Sequence, residues 1–306
     1  MINKSPVLLI VFNRPEQTTE VLNQIRKYKP DKLYIYSDGP RVNNEIDKIN
    51  CPKVKALTKT IDWKCQYKYL FKEENSGAGI SVSSAIDWFF SEVDNGIILE
   101  DDCFPNLTFF DFCSTLLLKY ENNNKIMCIS GTNILPNNES GTISFINYPL
   151  MWGWATWKRA WEKFDFNLTD WPTIKKTNFL LDKGNWLFKK HWEFHFDHCY
   201  KGDKNIWDYQ WFYTCWKYNG LTIIPDVNLI SNIGFNDLAT HTLSNSNDKL
   251  SNLEIRDFAF PVKYPIDYKI NFKLEKYISK YWFHITIYKY IRKKIKIFFF
   301  TKIKSY

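Results

Sequence analysis

Four short apolar segments alternate with helical patterns in the first hundred residues, and this alternation limits the fold more than any other feature of the chain. The segments are typical of buried strands, and they are residues 6–12, 32–36, 67–71 and 96–99. Helical patterns follow the first and the third, at residues 16–28 and 80–93. This order predicts an α/β, Rossmann-like fold, in which a mostly parallel central sheet is flanked by helices and joined by right-handed crossovers.

Polar residues follow each of the four predicted strands. They are Asn13, Asp38, Asn75 and the acidic triplet at residues 100–102. Parallel sheets of this kind bind their ligands at the carboxyl ends of the strands. The sequence therefore predicts that these polar side chains share one ligand site.

The acidic triplet is the strongest local signal in the chain. Glu100, Asp101 and Asp102 directly follow an apolar strand, where three carboxylates are costly unless a positive charge satisfies them. A Mg²⁺ or Mn²⁺ ion that also binds substrate phosphates is the natural partner of such acids. The alternative is an acidic turn that caps the following helix.

Taken in order, four segments resemble nucleotide-sugar glycosyltransferases of the GT-A fold, in particular the bacterial relatives of the N-acetylglucosaminyltransferase I group and of glycosyltransferase family 2. The resemblance covers roughly residues 5–245. The segments that carry it are Phe12-Asn13-Arg14-Pro15, Ser37-Asp38-Gly39, Asn75-Ser76-Gly77 and Glu100-Asp101-Asp102.

The resemblance implies a role for each of these matched positions. Asp38 matches the acid that contacts the uracil or ribose of the donor, and Asp102 matches the acid of the DXD-like motif that binds the metal. The other matched residues are expected to bind the nucleotide sugar; they are Phe12, Asn13, Arg14, Asn75, Gly77, Glu100 and Asp101. Arg14 has a surface ion pair as its alternative role.

Two later positions complete the site that the resemblance implies. Asp208, in an aromatic segment near a predicted helix start, matches the catalytic base, and a base is what an acceptor hydroxyl needs. Aromatic surroundings would raise its pKa toward a useful range. The alternative is an acid favoured by the dipole of its helix. His241 matches a late histidine that completes the metal or diphosphate site, with Asp237 as a less certain neighbour.

The segment Met151-Trp152-Gly153-Trp154 resembles elements that shape sugar and acceptor pockets in several such families. Glycine permits close approach of the backbone, and indole faces stack on sugar rings. Trp152, Gly153 and Trp154 are therefore expected at the acceptor or sugar site. Trp157 and Trp161, four residues apart, are expected in the core.

The positive charge of the chain is concentrated at its C-terminus. Residues 263–306 contain twelve lysines and arginines and two acids, so they carry +10 and the other residues together −2 of the total +8. This distribution argues against nucleic-acid binding by the body. We expect residues 1–262 to form the catalytic domain, and the basic, aromatic 263–306 tail to dock as an amphipathic helix on an anionic membrane surface. The alternative is a helix packed on the body.

Cysteine usage and hydropathy suggest a compartment. Seven cysteines without a CxxC pair, and no signal peptide, indicate reduced thiols in the cytoplasm, with the tail on the inner face of the cell membrane. A further group, at His191, His195 and His198, has helical spacing that would suit a transition metal, but a partly buried polar face explains it better.

Together these features predict a Mn²⁺- or Mg²⁺-dependent, inverting glycosyltransferase. It would move a sugar from a nucleoside diphosphate donor, with UDP expected, to a hydroxyl of a surface glycan or a lipid-linked acceptor. One alternative is a sugar nucleotidyltransferase, although residues 12–16 lack the glycine-rich loop that holds a triphosphate. A second is a non-catalytic glycan-binding protein, which leaves the acidic triplet unexplained.

Overall fold

The first four strands form the parallel half of the central sheet. The computed structural model describes residues 4–137, 139–234, 253–288 and 290–291. Its strands β1 to β4 are Val7–Val11, Lys32–Ser37, Gln66–Phe71 and Asn95–Glu100. β1 lies between β2 and β4, β3 pairs with β2, and all four run parallel. The predicted strands are confirmed to within one residue at each end.

Helices connect these strands and cover the sheet. Helices α1 to α4 are Pro15–Tyr28, Glu45–Thr58, Ala78–Glu92 and Leu107–Lys119. Pro15 begins α1, where its missing N–H costs nothing. The sequence patterns did not indicate α2, which contains Pro52 and begins where the Asn44 side chain accepts a hydrogen bond from the Asp47 N–H.

The second half of the chain adds strands of both directions. They are β5 (Cys103–Pro105), β6 (Ile126–Ser130), β7 (Ile143–Ile146), β8 (Trp154–Trp157), β9 (Leu221–Pro225) and β10 (Ile230–Asn232). In the described residues the main sheet has the order β3-β2-β1-β4-β8-β6-β9-β7, with β8 and β7 antiparallel to their neighbours. The sheet is thus mixed, with a parallel majority. β10 pairs with β5 in a small second sheet.

The later helices are α5 (Lys158–Trp161), α6 (Trp171–Ile174), α7 (Trp186–Tyr200), α8 (Asp208–Lys217) and α9 (Phe272–Tyr277). α9 continues into a π-helical turn at Ile278–Trp282. None of the helices in the described ranges is long and apolar enough to span a bilayer. All seven cysteines are unpaired.

The tryptophans belong mainly to the core. Six of them are among the largest fully buried side chains: Trp154, Trp157, Trp171, Trp192, Trp211 and Trp216. Trp192, for example, contacts the rings of three other residues, Tyr148, Phe212 and Trp216. Packing inside the protein therefore accounts for much of the unusual aromatic content.

The first part of the predicted tail belongs to the body. Lys263 and Ile270 form bridges beside and within β7, Leu274 and Ile278 are buried, and the Glu275 carboxylate accepts a 2.8 Å hydrogen bond from the Asn147 side chain. A boundary at residue 262 therefore does not separate a free tail, because six of the following apolar residues belong to the core or pack against it: Leu274, Tyr277, Ile278, Trp282, Phe283 and Ile285. Residues 292–306 lie outside the described ranges.

This packing predicts that Ile278→Ala destabilises the whole protein. Ile278 is fully buried, and truncation of a buried isoleucine costs about 2–5 kcal/mol. The matched control is Ile287→Ala, which changes an exposed isoleucine of the same segment and should shift the free energy of unfolding by less than about 0.5 kcal/mol. Urea denaturation measures both, and equal small effects would contradict integration of this segment.

Candidate functional site

A cavity of about 520 Å³ opens at the carboxyl ends of β1, β2 and β4. The register pairs Ile10 with Glu100 and Val11 with Ser37, so the residues that follow these strands become neighbours. The sequence-predicted residues that line the cavity are Phe12, Asn13, Arg14, Asp38, Asn75, Gly77, Glu100, Asp101, Asp102, Trp152 and Asp208. The structure thus brings the predicted strand-end residues together with two residues from the second half of the chain.

Arg14 links the acidic triplet to the end of β1. Its Nη1 atom lies 3.1 Å from Asp101 Oδ1 and 2.7 Å from Asp102 Oδ2. The Phe12 N–H donates a 3.0 Å hydrogen bond to Asp101 Oδ2. Arg14 is largely buried and therefore provides the internal countercharge of the triplet, rather than an exposed surface ion pair.

The triplet remains electrostatically demanding despite Arg14. Burial, together with the charges of Asp102, Asp101 and Asp208, raises the pKa of Glu100 to about 8 against the opposing effect of Arg14. Burial also raises the pKa of Asp101 to about 6, against the lowering effect of Arg14. Carboxyl groups in this state favour an additional cation.

The donor set suits a cation that is shared with a substrate. Within the described ranges, no three His, Cys, Asp or Glu side chains converge as a complete protein cage for a metal would require. Mg²⁺ and Mn²⁺ often take only one or two carboxylates and complete their shell with water and phosphate oxygens. Asp102 and Glu100 fit that pattern, since both line the cavity and lie close enough for the charge of Asp102 to raise the pKa of Glu100.

His241 and Asp237 lie outside the described residues. The described segment before them ends at Gly234, and there the Ile233 N–H donates a 2.8 Å hydrogen bond to the Asp102 carbonyl. Of the histidines of α7, His195 stacks on Tyr209 and His198 lies 2.9 Å from Asp203. A partly buried polar face therefore describes them, as expected.

Asp38 organises the turn after β2. One carboxylate oxygen accepts a 2.9 Å hydrogen bond from Asn75 Nδ2, and the other accepts 3.0 Å bonds from the Gly39 N–H and the Ser76 hydroxyl. Burial raises the pKa of Asp38, and the hydrogen bonds from Ser76 and Gly39 oppose this rise only in part. Contact between Asp38 and a nucleotide stays a prediction. The observed hydrogen bonds of Asp38 connect the turns after β2 and β3.

Close packing at the start of α3 positions Asp208. The Ile80 N–H donates a 3.2 Å hydrogen bond to the Lys204 carbonyl. A Cβ atom at Gly79 would lie only 2.6 Å from the Ile206 carbonyl oxygen, so glycine is required there. Segment 204–208 therefore lies against α3 and brings Asp208, the first residue of α8, to the cavity.

Of the three predicted sugar-contacting residues, Trp152 alone lines this cavity. Trp154 is 1% exposed and packs among Trp207 and Trp211, so the prediction that it stacks on a sugar is wrong. Gly153 has a φ of 58°, and a Cβ atom there would collide with Ile230. Its small size thus serves packing and not the approach of a ligand. Trp157 and Trp161 are buried, as expected.

Arg41 and Asp47 are site residues that the sequence did not reveal. Arg41 lines the cavity, and Asp47 at the start of α2 binds both Arg41 and Asn13. A single arginine after a Gly-Pro turn carries no recognisable pattern. The absence of a predicted α2 also hid the burial of Asp47.

No protein-family model and no curated protein matches this sequence. Solved structures with partial likeness include HddC from Yersinia pseudotuberculosis, at 9% identity and a TM-score of 0.27, over 46% of this chain and 59% of that one. The 4-diphosphocytidyl-2C-methyl-D-erythritolsynthase from Anaerococcus prevotii DSM 20548 has 10% identity and a TM-score of 0.33, over 60% and 86%. A UDP-glucose pyrophosphorylase complexed with UDP-glucose has 9% identity and a TM-score of 0.26, over 47% and 58%.

These likenesses are remote. This chain spans about three fifths of the HddC and pyrophosphorylase structures. By name, none of the three is a glycosyltransferase, and the UDP-glucose pyrophosphorylase corresponds to the alternative prediction of a sugar nucleotidyltransferase. TM-scores this low assign neither activity, so the choice between the two depends on the site itself.

Proposed function

We propose that this chain is a metal-dependent glycosyltransferase that uses a nucleotide sugar, with a UDP-sugar expected. The observation that carries the proposal is the position of Asp208 in the same cavity as the acidic triplet, delivered by a separate helix. A carboxylate opposite a metal-binding acid is the arrangement that a hydroxyl acceptor needs. Trp152, which packs on Trp282 and lines that cavity, would supply an indole ring for contact with a sugar.

The acidic triplet would hold the donor end of the reaction. Asp102 and Glu100 would bind Mn²⁺ or Mg²⁺, with His241 proposed as a further ligand. When bound, the ion neutralises charge on the departing diphosphate. Arg14 keeps Asp101 and Asp102 in place through its two contacts, and Asp38 holds the adjoining turns.

Asp208 would act on the acceptor. Its carboxylate takes the proton of the acceptor hydroxyl as that oxygen forms a bond to the anomeric carbon and the bond to the diphosphate breaks. Direct attack of this kind inverts the configuration at the anomeric carbon. A hydroxyl of a surface glycan or of a lipid-linked sugar fits this role.

A sugar nucleotidyltransferase is the second candidate. Its nucleophile is a phosphate oxygen that needs no base, and acids that bind a metal would serve it equally well. The cavity argues against it, because five acids and two arginines line it, for a formal charge of −3. A triphosphate and a sugar phosphate bring more negative charge into this acidic lining than a nucleotide sugar does.

The products distinguish the candidates. Nucleotide sugars with Mn²⁺ or Mg²⁺ and no acceptor should slowly release a nucleoside diphosphate if the chain is a glycosyltransferase. Nucleoside triphosphates with sugar 1-phosphates should release pyrophosphate if it is a nucleotidyltransferase. If neither product forms and no nucleotide raises the melting temperature, the proposal fails in favour of a glycan-binding protein.

We further propose that the C-terminus docks on the inner face of the cell membrane. Ile287, Tyr288 and Ile291 are exposed at the point where the basic sequence begins. Apolar residues beside lysines and arginines suit an anionic surface. The full chain should sediment with phosphatidylglycerol vesicles but not with phosphatidylcholine vesicles, and serine at these three positions should weaken binding. Equal binding to both lipids would contradict docking by charge.

A further inference from the structure

Asp47 is a fully buried carboxylate next to the cavity. It binds the side chains of Arg41 and Asn13, and both of these residues line the cavity. Its Oδ2 atom accepts hydrogen bonds from Arg41 Nε at 2.6 Å and from the Arg41 N–H at 3.1 Å. Its Oδ1 atom accepts hydrogen bonds from Arg41 Nη2 at 2.9 Å and from Asn13 Nδ2 at 2.6 Å. One buried acid therefore fixes two cavity-lining residues.

The pair is ionised and rigid. Burial alone would raise the pKa of Asp47, but the hydrogen bonds from Arg41 and Asn13 outweigh it, and the pKa lies below its ordinary value. The two-pronged contact between guanidinium and carboxylate sets the plane as well as the position of Arg41. Packing does not explain why Arg41 is held in one position, because 44% of its side chain is exposed.

Arg41 lines the cavity. Its guanidinium carbon lies 5.5 Å from the centre of the Phe12 ring. Two of its five N–H bonds reach Asp47, and the other three have no hydrogen-bond partner within the described ranges. Arg14, the other arginine of the cavity lining, contacts two acids, Asp101 and Asp102, through its Nη1 atom, and only 12% of its side chain is exposed.

We propose that Arg41 binds a phosphate of the nucleotide donor and that Asp47 is its positioning residue. An anionic ligand that enters a cavity lined by five acids and two arginines needs an accessible cation with unused donors, and Arg41 is the more exposed of the two arginines. The inference rests on the proposed use of a nucleotide donor. The proposal places the phosphate contact in the turn after β2. The resemblance had implied that Asp38, in the same turn, contacts the uracil or ribose.

The test compares ligands that differ only in their phosphates. UDP, GDP, CDP and dTDP are titrated into the full chain with Mg²⁺, which is diamagnetic, and the best binder is then compared with its own nucleoside by ligand-detected NMR. Arg41→Gln should weaken the diphosphate about 10- to 100-fold, as loss of a charge-assisted hydrogen bond does, and leave the nucleoside nearly unchanged. Arg41→Lys should recover part of the loss. Arg26→Gln, which removes an arginine paired with Asp62 away from this cavity, should change neither.

Asp47 is tested through its coupling to Arg41. Asp47→Asn should reproduce most of the Arg41→Gln loss, and the double variant should lose little more, because both changes remove the same contact. Additive losses would overturn the positioning role. Equal weakening of diphosphate and nucleoside would overturn the phosphate contact in favour of base stacking, and unchanged binding would overturn any contact. If the wild-type chain binds none of the four diphosphates, the proposed function itself fails and this assignment falls with it.

Discussion

Replacing Asp208 by Asn is expected to lower the turnover number for glycosyl transfer about 10²- to 10⁴-fold, the usual contribution of a general base. The dissociation constant of the donor should stay within about twofold, because a base that acts on the acceptor contributes to the transition state and little to donor binding. Single-turnover kinetics with a saturating donor would measure the first quantity, and calorimetric titration the second.

The substitution is expected to preserve the local structure. Asp208 Oδ1 accepts a 2.9 Å hydrogen bond from the Tyr209 N–H at the start of α8, and the amide oxygen of asparagine can accept the same bond. Asparagine cannot take up a proton at neutral pH. A loss of turnover without loss of the fold would therefore isolate the proton transfer.

The matched control is Asp203→Asn. Asp203 lies five residues earlier in the segment that leads to Asp208, pairs with His198, and is not part of the cavity lining. Its replacement should leave turnover almost unchanged. Full activity of Asp208→Asn would remove the proposed mechanism, whereas equal losses in both variants would point to a disturbed segment instead of a missing base.

Replacing Arg14 by Met is expected to destabilise the ligand-free protein by about 3–5 kcal/mol, because it leaves a group of buried acids without its countercharge. Arg14 contacts both Asp101 and Asp102 and opposes the raised pKa of Glu100. Urea denaturation in the presence of EDTA would measure the effect.

The loss should grow as the pH rises. Without Arg14 the pKa values of Glu100 and Asp101 rise further above those of the unfolded chain, so the folded state holds protons that the unfolded state releases, and raising the pH favours unfolding. Adding Asp101→Asn to Arg14→Met should recover part of the stability. Arg256→Met, which breaks an exposed pair with Glu254, should cost less than about 1 kcal/mol. A pH-independent loss would contradict the electrostatic explanation.

The parallel half of the fold was predictable because its signals are local. The runs at residues 6–12 and 96–99 are apolar enough to indicate buried strands, and the polar residues after them mark the edge where a ligand binds. The alignment of Ile10 with Glu100 then follows from parallel pairing. The approximate position of the site needed nothing beyond these patterns.

The rest depends on contacts between distant parts of the chain. Trp152 and Trp154 are equivalent by sequence, yet the strand β8 begins at Trp154 and buries it, which leaves Trp152 at the cavity. The pairing of Arg41 with Asp47 requires a helix that the sequence patterns did not show. The predicted tail was expected to begin at residue 263, but Leu274 and Ile278 are buried in the body. Hydrophobicity alone does not tell which apolar surface a segment will cover.

The insertion of β8 next to β4 has a consequence for how the chain is made. During synthesis β1 to β4 emerge first, but the free side of β4 gains its neighbour only when residues 154–157 leave the ribosome, more than fifty residues later. Until then a central strand presents unpaired backbone groups, which are a template for association with other chains. A fragment that ends before residue 154 would keep that exposed border permanently, and it would aggregate instead of forming a soluble half of the protein.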